Sequence, residues 1–395
     1  MGAYFITFLA VMILLGALSQ DSFIFTLVYL FAGAYLLGNW WNNRVLRSIS
    51  FTRTFTDHSF LGETIPVLLE LKNNSRLPAV WLQVIELVPL EIAASKSIQK
   101  IVSFPGHGKV TLDYKLSPKK RGYYKVGPVW YSSGDLLGLV HIKEMEGAPN
   151  FLTVYPKVFP IRTARIPSRS PLGDLKHERP IFEDPSRPIG KRDYRSGDSI
   201  RRIDWKASAS VGKLQVKLFE PSIALETILL LNLNPEEYQL KTRFFAMEMG
   251  ISIAASLANW IAGKKQAVGL FTNGKDVIEK DSFFQPLQPR KGRMHLMRIM
   301  ETLARVQLTG EEPLLSMLHR HRFSLSWGTT VIIITGQINA TIFDELYNSK
   351  RNGLDIVLIL CGEIVGLADI RHRAEYYKIP LFYFFDERDL DVWRN

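Results

Sequence analysis

Thr227-Ile228-Leu229-Leu230-Leu231-Asn232-Leu233 is a run of aliphatic side chains broken by one amide and followed at once by Asn234-Pro235-Glu236. A run this short and this apolar, bounded by turn residues, has the character of a buried strand. Four further runs share it, at residues 267–272, 330–335, 354–360 and 380–385. Helical spacing falls between them, at 236–262, 292–306, 312–321, 341–351 and 370–377. Apolar strands alternating with helices specify an α/β domain with a mostly parallel, doubly wound sheet over residues 221–395. In its first helix Phe245, Met249, Ile253, Leu257 and Trp260 recur at three and four residues, the spacing of a core-facing stripe.

Immediately upstream, residues 161–220 hold 14 Lys or Arg against 8 Asp or Glu, a net of +6 out of the +11 carried by all 395 residues. Pro167, Pro171, Pro180, Pro185 and Pro188 make the first half an extended connector. The second half, residues 191–210, pairs cations with anions at short range. Ser196-Gly197-Asp198-Ser199 is turn chemistry, in which Asp198 can cap the following turn and receive a fork from Arg201 or Arg202. Asp204, Trp205 and Lys206 form a second polar and aromatic unit, where an arginine can stack on the indole. Two roles are open to this basic linker: a clasp of internal Arg–Asp pairs joining its flanking domains, or a recognition site for a carboxylate or phosphate on a partner.

Residues 49–160 read differently. Period-two stretches such as Thr64-Ile65-Pro66-Val67-Leu68-Leu69-Glu70-Leu71 alternate with the turn sequences Asn73-Asn74-Ser75 and Pro105-Gly106-His107-Gly108. This spacing fits a small antiparallel β-sandwich-like domain. Before it, the chain is another material: residues 1–43 carry one formal charge, Asp21. The apolar runs 4–18 and 22–40, separated by Ser19, Gln20 and Asp21, predict a transmembrane helical hairpin, although the first reaches the necessary ~20 residues only with Met1, Gly2 and Ala3. No Lys or Arg precedes the first run, which disfavours a cleavable signal peptide. Arg44, Arg47 and Arg53 follow the second helix, so the excess of basic residues places both termini and the soluble domains on the cytoplasmic side of the cell membrane. The single cysteine, Cys361, excludes a disulfide framework and fits a reducing compartment.

Arg192-Asp193-Tyr194, Gly197-Asp198, Arg201-Arg202-Ile203-Asp204-Trp205-Lys206-Ala207-Ser208-Ala209 and Leu214-Gln215-Val216-Lys217 together closely resemble the signature of the bacterial domain-of-unknown-function family 58. Lys120-Arg121-Gly122-Tyr123-Tyr124-Lys125-Val126-Gly127-Pro128, Gly134-Asp135-Leu136-Leu137-Gly138-Leu139 and Val154-Tyr155-Pro156 extend the likeness over nearly the whole chain. One departure stands inside the signature: relatives continue with Ala-Arg where this chain has Ala209-Ser210.

The resemblance implies a von Willebrand factor A-like fold for residues 221–395, in which an Asp-x-Ser-x-Ser motif, a Thr and an Asp hold a divalent cation at the carboxyl ends of the strands. The matching positions here are Asn232, Asn234 and Glu236, with Thr335 followed by Gly336. Neutral amides with one carboxylate bind Mg²⁺ weakly, so a degenerate site without metal or other cofactor is expected. The resemblance further implies an assembly or chaperone-like role beside a MoxR-type AAA ATPase. No phosphate loop, nucleophile elbow or zinc-protease motif occurs. The expectation is therefore a membrane-anchored interaction protein rather than an enzyme, with the lipid bilayer and a protein partner as its contacts. The competing reading makes the Arg/Asp/Lys signature an enzyme site or anionic-ligand site. Nucleic-acid binding lacks aromatic platforms, since Tyr194 and Trp205 are the only dense aromatics of the basic segment.

Overall fold

Two apolar helices lead the chain, α1 (Gly2–Ser19) and α2 (Ser22–Leu46), in a computed structural model that describes residues 2–20, 22–93, 97–134, 143–161, 183–195, 203–221, 226–279, 283–308, 311–321, 325–326 and 328–393. They pack along each other through Phe5, whose ring stacks on Tyr35 and meets Phe31 edge-on. Most of their remaining apolar side chains are exposed. By length and hydropathy α2 suffices to cross a bilayer; α1 is the shorter of the two.

The described chain forms two compact units, Met1–Lys157 with Leu303–Val306, and Val158–Thr302 with Gln307–Asn395. In the first, ten strands follow the helices: β1 (Ile49–Thr54), β2 (His58–Phe60), β3 (Ile65–Asn73), β4 (Ala79–Leu87), β5 (Ser97–Phe104), β6 (Lys109–Leu116), β7 (Gly122–Val126), β8 (Val129–Ser133), β9 (Lys143–Glu146) and β10 (Asn150–Tyr155). They form sheets of order β1-β3-β6, β5-β4-β8-β9 and β2-β10-β7; every pairing is antiparallel except that of β2 with β10. Strict alternation on β3 buries Ile65, Val67, Leu69 and Leu71 on one face. Leu69 and Leu71 share a core with Leu82 and Val84 of β4, Tyr131 of β8, and Val45 and Leu46 of α2. Helix α2 therefore runs into this core with no intervening linker.

Arg53 corrects the sequence reading. Its side chain is fully buried, with Nε 2.6 Å from Glu86 Oε1, so of the three arginines only Arg44, in the last turn of α2, and Arg47, just past it, stand exposed. A guanidinium so placed joins β1 to β4 and, by a further hydrogen bond to Asn150 Oδ1, to β10.

In the second unit β11 (Glu183–Asp193) pairs antiparallel with β12 (Gln215–Pro221), and α3 (Trp205–Val211) lies between them in sequence. Part of the stretch read as an extended connector is thus a two-stranded ribbon, while residues 162–182 lie outside the described residues. The strands β13 (Glu226–Leu231), β14 (Ala267–Thr272), β15 (Leu287–Arg290), β16 (Thr330–Thr335), β17 (Asp355–Cys361) and β18 (Leu381–Phe384) form one sheet of order β15-β14-β13-β16-β17-β18. All its pairings are parallel except β14 with β15. Helices α4 (Arg243–Gly263), α5 (Arg293–Arg305), α6 (Leu314–His321), α7 (Ala340–Arg351) and α8 (Leu367–Tyr376) accompany it. The chain is a multidomain mixed α/β protein: N-terminal helices, antiparallel sheets, then a mostly parallel sheet with helices.

The antiparallel edge strand β15 has no apolar run to announce it, and its Pro289 is tolerated because an edge strand needs fewer ladder donors. Helix α4 is as long and apolar as a membrane span, yet it is mostly buried against the sheet. Its core stripe keeps Met249, Ile253 and Leu257 inside, whereas Phe245 is exposed. The thiol of Cys361 is buried at the end of β17, and that burial pushes its pKa far up, away from nucleophilic use.

Candidate functional site

The signature segment is organised around Asp204. Its backbone N–H donates to the Gln215 carbonyl at 2.8 Å, which leaves its side chain at the start of α3. There Oδ1 accepts from the Ala207 N–H at 3.1 Å as the N-cap, and Oδ2 lies 2.9 Å from Lys191 Nζ on β11. Bonding to Lys191 and the cap bond from Ala207 hold the Asp204 carboxyl below the usual carboxylate range. Ser208, one turn on, donates to the Asp204 carbonyl and accepts from the Gln215 N–H, both at 2.8 Å. Gly212, at φ +71°, closes the helix in the left-handed conformation.

This arrangement joins Asp204, Ser208 and Lys217 with two residues outside the predicted set, Lys191 and Gln215. In the ribbon register Lys191 faces Lys217, and Arg192 faces Val216. Asp193 faces Gln215, whose amide donates to its carboxylate. Arg192 donates to the Asp193 carbonyl, and the Tyr194 N–H donates to the Leu214 carbonyl. Trp205 and Lys206 instead point outward, the indole 65% exposed. Lys191 is the described partner of Asp204, which is also the cap of α3. Gly197, Asp198, Arg201 and Arg202 lie outside the described residues. Lys191 could have been found from sequence only by knowing the ribbon register, which brings positions 13 residues apart together.

A second polar centre stands at the carboxyl ends of β13 and β16. Asn232 is fully buried and its amide nitrogen donates to Glu237 Oε2 at 2.7 Å and to Thr335 Oγ1 at 2.9 Å. Its amide oxygen accepts from the Asn234 N–H and from Asn273 Nδ2. Those donors fix the orientation of the amide. Asn234 caps a 3₁₀ turn by accepting from the Glu236 N–H, while the Glu236 side chain is exposed. The carboxylate at this centre is Glu237, not Glu236 as read from sequence. Burial pushes the Glu237 carboxyl above its ordinary value, opposed by donation from the Leu314 N–H and Asn232. Tyr238 donates to the Asn232 carbonyl at 2.6 Å, and its ring fills the space in front of Gly336.

These residues do not fit a divalent cation. The amide N–H₂ of Asn232 already lies between the carboxylate and the hydroxyl, presenting donors where a metal would require oxygens. At Gly336 a Cβ would come within 2.3 Å of the Tyr238 ring, so no side-chain ligand has room there. Among the described residues no three His, Cys, Asp or Glu side chains cluster to hold a metal.

N-terminal helices, antiparallel sheets, signature ribbon and α/β unit define a class of mixed α/β multidomain protein. Residues 190–354 match the family described as "Protein of unknown function DUF58". The chain is similar to the uncharacterized protein YeaD of Bacillus subtilis (strain 168), with 24% identity over 308 residues, covering 76% of this chain and 73% of YeaD. Among solved structures, the CARDB domain of the PF1109 protein from Pyrococcus furiosus aligns at 13% identity and TM-score 0.21 over 27% of this chain and 86% of that domain. Native alpha-2-macroglobulin from Escherichia coli, domain MG7 to the C-terminus, aligns at 16% identity and TM-score 0.24 over 31% of this chain and 20% of that one.

Proposed function

We propose that this chain is a membrane-anchored, cytoplasm-facing interaction protein, with α1 and α2 crossing the bilayer as a hairpin. The antiparallel sheets form a β-sandwich-like domain and the C-terminal unit a von Willebrand factor A-like domain whose cation site is replaced by amides. The observation that carries the reading is the exposure of α1 and α2: Leu18 and Tyr29 are about three-quarters exposed in helices with no formal charge before Arg44 other than Asp21. Apolar surface of that extent needs lipid or protein cover. Arg44 and Arg47 support the cytoplasmic placement of the soluble domains.

The scaffold role is supported by the signature. Asp204 is engaged as cap and ion-pair partner with a lowered pKa, which suits anchoring α3 better than general-base chemistry near neutrality. Trp205 and Lys206, turned outward on α3, and the exposed Val211 and Leu214 after them supply surface for a protein partner. A MoxR-type AAA ATPase is the partner we propose, from the family resemblance. Membrane fractions carrying the tagged chain are expected to retain such an ATPase in a nucleotide-dependent manner, and Trp205→Ala with Lys206→Glu to release it. Recovery of the chain in the soluble fraction, or no ATPase under any nucleotide condition, overturns the reading.

A further inference from the structure

Helix α2 does not end in a flexible tether. Trp41 Nε1 donates to the Pro78 carbonyl at 3.1 Å, Asn42 Nδ2 donates to the Ser133 carbonyl at 2.9 Å, and Val45 and Leu46 enter the β core. Just past the helix, Ser48 Oγ donates to Asn73 Oδ1 and the Asn74 N–H donates to the Ser48 carbonyl. The loop from Asn73 to Pro78 is therefore fastened at one end to the last turns of α2 and at the other to Ser48 just past it. It is also fixed internally: buried Asn73 donates to the carbonyls of Leu77 and Pro105, and Ser75 donates to Leu77. Trp41 and Leu46 are five residues apart, about 7–8 Å along a helix axis. Arg76, in the middle of this loop, is thus carried beside the membrane-proximal end of the β unit on a segment fastened to Trp41 and Ser48.

Trp40 and Arg44 are exposed one turn apart on α2, and Arg47 is exposed in the turn directly after it. An interfacial tryptophan marks the headgroup boundary, and the headgroup layer adds roughly 5–7 Å beyond the hydrocarbon. One helical turn beyond Trp40 brings Arg44 into that layer, with Arg47 at its outer edge. Arg76 is exposed as well, and no carboxylate among the described residues pairs with any of the three. Residues 40–48 and 73–78 contain no Asp or Glu.

We propose that Arg44, Arg47 and Arg76, framed by Trp40 and Trp41, form a collar that binds the phosphate headgroups of anionic phospholipid in the bilayer that α2 enters. Arg44 comes from the helix, Arg47 from the turn directly after it and Arg76 from the β unit, so lipid binding also holds that unit against the membrane surface. The proposal rests on the reading that α2 spans a bilayer. It goes beyond it by assigning a lipid class and a residue outside the helix.

The test uses the full chain in nanodiscs of phosphatidylcholine with a minority of spin-labelled phosphatidylglycerol or spin-labelled phosphatidylcholine. The motionally restricted signal is expected to favour the anionic label several-fold at physiological ionic strength. Arg76→Gln is expected to lower that preference by about threefold to fivefold, the worth of one basic residue at a charged lipid surface. Lys115→Gln is the control for net charge: Lys115 pairs with Pro66, seven residues along β3 from Asn73, about 23 Å away. It is expected to change nothing. Equal restriction of both labels, or equal loss with Arg76→Gln and Lys115→Gln, overturns the collar while leaving the spanning reading intact. A chain that never enters the nanodisc overturns both.

Discussion

Asn232 holds its amide nitrogen 2.7 Å from the Glu237 carboxylate, bridging it to Thr335. A neutral donor there hydrogen-bonds a partly buried carboxylate and ties the ends of β13 and β16 together. Asn232→Asp replaces two donated hydrogen bonds by charge repulsion. It is expected to cost about 2–4 kcal/mol at pH 7, from the loss of buried partners and the addition of a like charge. The same substitution presents only oxygens to the site, so millimolar Mg²⁺ is expected to restore part of the loss in the variant and to leave the parent unchanged. Thermal melts with and without chelator check both statements.

Glu237 titrates above its ordinary value of 4.5 in the folded chain. Between that value and its raised folded pKa the folded state binds more protons than the unfolded state, so stability falls as pH rises through the window. The contribution is full below about pH 4.5 and lost above the folded pKa. Glu237→Gln removes this titration. Its melting temperature relative to the parent is expected to rise from pH 4 to pH 7, and parallel profiles for the two proteins would contradict the assignment.

Gly336 has no room for a side chain, because the Tyr238 ring and the Glu237 carbonyl occupy the space. Gly336→Ala is expected to destabilise by about 1–3 kcal/mol, the usual cost of overpacking. A lower urea midpoint with unchanged slope is the signature to measure. Gly336→Asp is expected to be at least as damaging, even combined with Asn232→Asp.

Arg53 and Glu86 form an ion pair closed to solvent. Arg53→Met strands a buried carboxylate and is expected to cost about 3–5 kcal/mol, whereas Arg53→Met with Glu86→Leu is expected to recover most of it. A double-mutant cycle in urea measures the coupling, and additive losses would show the two side chains to be independent.

Asp204 has a depressed folded pKa, so its support of α3 is present above its ordinary value of 3.8 and lost as pH falls through the folded value. Asp204→Asn keeps a cap acceptor and loses the Lys191 pair, while Asp204→Ala loses both. Amide exchange at Ala207 is expected to be accelerated by the alanine and little changed by the asparagine at neutral pH.

Most strands of the α/β unit were legible because burial on both faces leaves a nearly unbroken aliphatic run: 267–272 and 330–335 are the strands found. Strand β15, with Pro289 and two exposed positions, carries no such signal. The polar centre was half legible. Asn232 and Thr335 follow their strands in sequence, but Glu236 and Glu237 are adjacent carboxylates, and only the 3₁₀ turn capped by Asn234 selects which one faces inward. At the signature, Asp204 and Ser208 were named, while Lys191 joins them through strand pairing.

Sequence alone determined the apolar N-terminus, the change from period-two to α/β patterning and the resemblance to the DUF58 family, since each is written in local composition or contiguous motif. Tertiary structure decided which charges are spent inside the protein and which remain for partners. Arg53 lies only seven residues past α2, yet pairing with Glu86 across two sheets buries it. Arg76, far from α2 in sequence, is carried to the helix end by the hydrogen bonds of Asn73 and Trp41. Burial and long-range pairing depend on strand register and packing, which no local run of residues encodes.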